Sequence, residues 1–284
     1  MTARTRPPEL LEKTLARVSR EQGLDQERLR RWVSFLALCG VLERAITEGV
    51  LGSYYLKGGV ALELRFALRA RATKDLDLGL EGNRATRLRV FEDALKPAFD
   101  LFTFRLKSRA RHMDLADTVR IEVRIQYRTR AWQTIEVDLG PAGATNADLV
   151  RPAVPGLAEM GLPVPSPVRC LNLSEQVAQK LHACTSPDAT TGRARDIVDI
   201  LLIEMLGELD CAGACAAAQR VFNERGAHAF PPAFALRPTW RLELESLAAE
   251  LGFPVTGAAE IERRFHKTID SIAAAKLSRS DAPL

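Results

Sequence analysis

Residues 54–80 read YYLKGGVALELRFALRARATKDLDLGL, and the reading of this stretch decides the fold. Tyr54 to Lys57 is a short strand-like run. Gly58 and Gly59 make a turn, and a helix is expected from about Val60 to Leu68. From Arg71 to Leu80 the period changes to two, with Leu76, Leu78 and Leu80 on one face of a strand and Asp75 and Asp77 on the other. Both carboxylates then project from one face, ~7 Å apart along the chain. Like charges that close repel, and a divalent cation between them is the usual compensation; oxygen ligands suit magnesium or manganese better than zinc. A solvated sheet face is the competing reading of the Asp-x-Asp pair by itself. The glycines add a second expectation. A strand that closes on Gly58-Gly59 and opens a helix lets backbone N–H groups approach an anion, so a phosphate is expected beside the metal.

Toward the C-terminus, Arg84 to Phe99 reads as an amphipathic helix, followed by strands Leu101 to Lys107, Val119 to Tyr127 and Trp132 to Leu139. In the middle strand Val119, Ile121, Val123, Ile125 and Tyr127 oppose Arg120, Glu122, Arg124 and Gln126, giving one core face and one polar face. The Arg128-Thr-Arg-Ala link is short enough for an antiparallel hairpin. Asp138 on the last strand is the expected third carboxylate of a two-metal clamp, if its strand pairs with or near that of Asp75. Glu136 shares its face and competes with it, and a charged sheet edge is the plainer reading of either.

Toward the N-terminus, Pro8 to Thr47 is helical, divided by Gly23-Leu-Asp-Gln, with Asp25 placed to cap the second helix. These helices read as packing elements. Pro152 to Pro167 carries five prolines and two glycines, the sharpest compositional break, and marks a domain boundary. The expected division is residues 1–50 as N-terminal helices packed on the core, 51–150 as the core carrying the chemistry, and 151–284 as a mostly helical domain. In that last part Lys180 lies on a helix begun by Ser174 and Glu175, a point charge suited to a triphosphate or else a snorkelling surface lysine. Asp196 and Asp199 share a face of the next helix, where Asp196 can orient Lys180 or pair with Arg193 or Arg195.

Composition bounds the rest. The 284 residues are 46% apolar with a net charge of +4, which admits a polyanionic partner without demanding one. Arg105, Lys107, Arg109, Arg111, Arg120, Arg124, Arg128 and Arg130 either track an RNA backbone or form a solvated, acid-paired surface. Cys39, Cys170, Cys184, Cys211 and Cys215 read as free thiols, and His112, His182, His228 and His266 show no metal spacing. No signal-like segment and no apolar run of ~20 residues occurs, so a cytoplasmic protein off the membrane is expected.

The run Leu56-Lys57-Gly58-Gly59-Val60-Ala61-Leu62, followed by Arg65, Arg69, Arg71, Thr73, Asp75 and Asp77, resembles the nucleotidyltransferase core of the AbiEii/AbiGii toxin family, to which MenT-like toxins belong. A second block, Leu173-Ser174-Glu175, Lys180 and Arg193-Ala-Arg-Asp196-Ile-Val-Asp199, is similar to the family's later motif. The resemblance implies an α+β, DNA-polymerase-beta-like nucleotidyltransferase fold followed by a helical C-terminal domain. It implies metal ligation by Asp75 and Asp77, nucleotide contacts from Gly58, Gly59, Thr73 and Lys180, and catalytic roles for Lys180 and Asp196. Lys57 and Arg71 are further triphosphate candidates. Val60 departs from the pattern, standing where many relatives carry Ser or Thr, so the backbone donors remain without that hydroxyl. Expected are a Mg2+ or Mn2+ cofactor, a nucleoside triphosphate substrate, the 3′ end of tRNA as acceptor, and a toxin role beside a cognate antitoxin. Transfer to a partner protein and a non-catalytic nucleotide-binding module are the alternatives.

Overall fold

The computed structural model describes residues 7–107, 117–143, 147–155, 160–162, 167–189 and 192–275, with the backbone alone of 111–113. Arg109 and the side chains of Arg111 and His112 lie outside the described residues, as does much of the proline-rich segment. The chain forms two compact units, Met1–Leu68 with Ala72–Cys170, and Arg69–Arg71 with Leu171–Leu284. The division expected at 150/151 therefore falls at 170/171. After the proline-rich segment the chain returns to the first unit's sheet before leaving it, and a compositional break does not reveal that return.

The first unit begins with helices α1 (Pro8–Gln22) and α2 (Gln26–Thr47). The chain turns between them because Gly23 adopts φ 64°, and Asp25 accepts from the N–H groups of Glu27 and Arg28, capping α2 as expected. Strand β1 (Tyr54–Lys57) runs straight into α3 (Gly58–Phe66), then β2 (Asp75–Leu80), α4 (Arg84–Leu95), β3 (Phe102–Leu106), β4 (Arg111–Met113), β5 (Thr118–Tyr127), β6 (Arg130–Pro141), β7 (Ala147–Val150) and β8 (Val168–Leu171). The strands form one mixed sheet in the order β3-β5-β6-β2-β1-β8-β7, with β4 also on β5. The pairs β3–β5, β5–β6 and β1–β2 are antiparallel, while β2–β6 and β1–β8 are parallel. Strands β4, β7 and β8 escape sequence reading: each has three or four residues, too few to show an alternating pattern.

One core holds this unit together. Leu76, Leu78 and Leu80 of β2 and Val119, Ile121, Val123 and Ile125 of β5 pack in the same cluster as Leu11, Leu15, Trp32, Phe35 and Leu42 of the N-terminal helices. Those helices thus pack on the core of the sheet and belong to the same compact unit. The alternation along β2 and β5 puts every apolar residue on that side, which leaves Asp75, Asp77, Arg120 and Arg124 on the other.

The second unit is helical: α5 (Leu173–Thr185), α6 (Ala194–Met205), α7 (Cys211–Arg225), α8 (Arg241–Glu250) and α9 (Ala258–Ala274). Helix α5 packs on α6 and α7, and α6 on α8. In α9, Ile261, Phe265, Ile269 and Ile272 recur at three- and four-residue steps and are all buried. Among the described residues no helix is long and apolar enough to cross a membrane, and the five cysteines are free, four of them buried.

Candidate active site

On the polar face of the sheet the strand registers line up charged residues in rows. Lys57 on β1 is opposite Asp77 on β2, Asp77 is beside Asp138 on β6, and Asp138 faces Arg120 on β5. One row thus reads cation, carboxylate, carboxylate, cation across four strands. In the neighbouring row Asp75 is beside Glu136, which faces Glu122. Adjacent strands are ~4.8 Å apart, so Asp138 stands directly next to Asp77, as the sequence reading required.

The approach of α3 to this row is set by Gly58. Its φ of 64° is the left-handed conformation that turns β1 into the helix, and a Cβ built there would overlap Oδ2 of Asp77. The glycine is therefore required twice, by the turn and by the carboxylate seated against it. The N-cap residue of α3, Lys57, makes no side-chain capping hydrogen bond of its own, and the helix opens on Gly58, Gly59 and Val60. Further along, a Cβ on Gly140 would come 2.5 Å from Nζ of Lys57, so the lysine reaches across β2 to the floor that this glycine leaves open.

Beneath the strand lies a residue the sequence reading missed. Glu63 of α3 is 1% exposed, yet it accepts from Nε of Arg28 at 2.7 Å, Nε1 of Trp32 at 3.2 Å and the N–H of Thr73 at 3.0 Å. Burial pushes its carboxyl up from the ordinary value although Arg28 acts in the opposite direction. It ties α2, α3 and the lead into β2 to one point, and holds Thr73 two residues before Asp75. Its signal in the sequence was slight: one acid inside the apolar run of α3.

The third carboxylate is not poised as expected. Asp138 gives both oxygens to Arg120, from Nε at 2.8 Å and from Nη2 at 2.7 Å, and this pairing raises the guanidinium's already high pKa. Among the described residues no three His, Cys, Asp or Glu side chains already converge as a metal cage. The side chain of Asp75, by contrast, makes no hydrogen bond or ion pair with any described residue, its backbone being paired with β6. Asp75 on the same face as Asp77, with Asp138 beside Asp77 on β6, is a hard-oxygen donor set of the kind that suits Mg2+ or Mn2+.

In the helical unit Lys180 does not offer the open ammonium that the sequence reading assigned it. It is buried, donating to Asp199 at 2.7 Å and to Asp196 at 3.0 Å. Burial alone would lower its pKa; the two carboxylates overcome that and hold it above the ordinary value. Arg71, the other expected triphosphate contact, donates to Asp199 from Nε and Nη2, each at 3.0 Å. Asp199, which was not singled out for chemistry, is thus the centre of the cluster: burial acts to raise its pKa, and Lys180 and Arg71 keep it below the ordinary carboxylate value. Asp196 does hold Lys180, and it also accepts from Arg193 at 3.1 Å, while Arg195 turns to Glu243. A buried cluster of this kind costs desolvation that only full pairing offsets.

The family model described as nucleotidyl transferase AbiEii toxin, type IV TA system, matches residues 40–275. Among solved structures the chain is similar to MenT4, a nucleotidyltransferase toxin of Mycobacterium tuberculosis H37Rv, at 17% identity and a TM-score of 0.52, covering 92% of this chain and 99% of that one. It is also similar to an antigenic nucleotidyltransferase-like protein of Paracoccidioides brasiliensis, at 14% identity and a TM-score of 0.42, covering 82% and 96% of the two chains. The antibiotic-resistance factor ANT(2'')-Ia matches at 19% identity and a TM-score of 0.37, over 69% and 94%. No curated protein matches by sequence.

Proposed function

Because the chain belongs to the AbiEii nucleotidyl transferase toxin family, we propose that the polar face of its sheet transfers a nucleotide from a nucleoside triphosphate to the 3′-hydroxyl of a tRNA, the toxic act of a toxin–antitoxin pair. The hydroxyl oxygen forms a bond to the α-phosphorus, the bond to pyrophosphate breaks, and the hydroxyl proton leaves to solvent or to a carboxylate of the face. Asp75 and Asp77, with Asp138 beside them, are the residues that would hold Mg2+ or Mn2+, which supplies charge neutralisation at the reacting phosphate. The N-terminus of α3 at Gly58-Gly59 receives the phosphates, and Lys57, which reaches across the floor to Gly140, adds a cation there. Thr73, held by Glu63, keeps the entry to β2 in place.

The observation that carries this reading is the seating of Asp77 against Gly58, which joins the carboxylate row to the glycine turn at the start of α3. An RNA acceptor is supported by Arg105 and Arg124. They are exposed, directly opposite one another on β3 and β5, and form no ion pair among the described residues. Like charges directly opposite destabilise a sheet unless something neutralises them, and a phosphate chain does so. Lys180, Asp196 and Arg71 are assigned to the charged cluster around Asp199 that holds the helical unit, since their charges are already paired there.

The test incubates purified protein with total tRNA and each labelled triphosphate in turn, with RNase and protease controls. Label should enter the RNase-sensitive fraction and be lost, by about 100-fold or more, in Asp75→Asn and in Asp77→Asn. Label that survives RNase and yields to protease would assign the acceptor to protein instead. Full activity in both variants would remove the carboxylates from the mechanism.

A further inference from the structure

Arg120 is bound to Asp138 in a way that bears on how the carboxylate row takes up a cation. Its planar guanidinium engages both oxygens of Asp138, Nε with Oδ1 at 2.8 Å and Nη2 with Oδ2 at 2.7 Å. An oxygen held this way keeps a second lone pair that could reach a divalent ion ~2.1 Å away, but the ion and the guanidinium would then share one oxygen and repel each other, which weakens the ion's hold. The remaining nitrogen, Nη1, is 3.5 Å from Oε2 of Glu136. Glu136 precedes Asp138 by two residues on β6, so it lies on the same face, and its side chain is 44% exposed against 13% for Asp138. The arginine side chain is 32% exposed, so a change of partner keeps it in contact with water throughout. Asp75 adds its field to the same guanidinium.

We propose that Arg120 is a built-in competitor for the divalent cation: it holds Asp138 when the site is unloaded and passes to Glu136 when a cation takes the Asp75, Asp77 and Asp138 oxygens. This rests on the reading of those carboxylates as cation ligands. It also assigns Glu136 a role other than ligand, as the second seat of the guanidinium. Two carboxylates two residues apart on one strand let the arginine keep a partner in both states, so loading leaves no stranded positive charge. The consequence is a weakened affinity for the bare cation, set by this chain and independent of substrate.

The experiment titrates Mn2+ alone into the full chain, without nucleotide, reading free Mn2+ by electron paramagnetic resonance and heat by calorimetry. Arg120→Gln should bind Mn2+ about 10-fold more tightly than the unmodified chain, with Arg120→Lys between them because a point charge replaces a fork. Glu136→Gln should weaken binding about 3-fold in the unmodified chain and by clearly less in the Arg120→Gln background, where no guanidinium needs a second seat. Unchanged or weaker binding in Arg120→Gln overturns the proposal, as does an equal loss from Glu136→Gln in both backgrounds. If Arg120→Gln fails to fold by circular dichroism, Arg120→Lys and Glu136→Gln decide, and binding in both equal to that of the unmodified chain overturns it. Loss of Mn2+ binding in Asp75→Asn and Asp77→Asn alongside unaltered Arg120 variants would sink this proposal alone. No Mn2+ binding by any of these proteins, Arg120→Gln included, would sink the cation reading beneath it.

Discussion

At the scale of single residues, Gly58 and Glu63 matter because of what they do to others. Gly58 carries a positive φ and lies where any side chain would displace Asp77. Gly58→Ala should cost ~1–2 kcal/mol for the left-handed backbone, read by urea unfolding, and further stability for the collision. The displaced carboxylate should lower nucleotide transfer by about 100-fold, since a shift of an ångström at a reacting centre has that effect. A variant with lowered stability and full transfer would separate the turn from the chemistry. Glu63 acts at one remove, through Thr73, and its buried carboxylate is tolerated because three donors satisfy it.

At the scale of elements, α5 and α6 carry charges inside a helical unit because each has a partner on the neighbouring helix or on residues 69–71. Two residues beyond Lys180, α5 has a different problem. His182 is packed against Phe222 at 4.8 Å and His228 at 4.6 Å, and its Nε2 has no hydrogen-bond partner among the described residues. Burial, then the charge of Arg225, then His228, push its pKa down to about 4 from the ordinary 6.5. Between these two values the unfolded chain binds a proton there that the folded chain refuses, so the contribution to stability is full above about 6.5 and lost as pH falls toward about 4. The urea midpoint should therefore fall across that window, and His182→Gln should flatten the fall. An identical pH profile in the variant would show that this ring carries no such linkage.

At the scale of the whole molecule, a net charge of +4 does little to attract a polyanion. What matters is where the charge is left unneutralised. Arg120 is spent on Asp138, Lys107 on Glu122 and Arg130 on Glu9, while Arg105 and Arg124 face each other and form no ion pair among the described residues. Arg124 is four residues along β5 from Arg120, ~13 Å, on the same face as the carboxylate row. Substituting both Arg105 and Arg124 by Ala should weaken tRNA binding and lower the slope of log affinity against log salt by about 1 to 2, measured by filter binding. An unaltered slope would place the acceptor's backbone elsewhere on the protein.

The sequence by itself determined the local frame: the two-residue period of β2 and β5, the 3.6-residue period of α1 and α2 with Asp25 as cap, the glycine turn, and the face on which Asp75 and Asp77 lie. These are short-range consequences of steric and apolar patterning, so they can be read within a window of about ten residues. Tertiary structure alone decided which charges meet. Tyr127 pairs with Arg130 at the hairpin turn, and that register, carried along, would set Arg120 opposite Val137 in the core. An irregularity between Ile125 and Gln126 shifts the pairing by one residue and brings Arg120 to Asp138. The same holds for Lys180, which sequence reading left facing a triphosphate and packing buried between Asp196 and Asp199. Ion pairs between residues distant in sequence depend on register and burial, and neither is a property of any one segment.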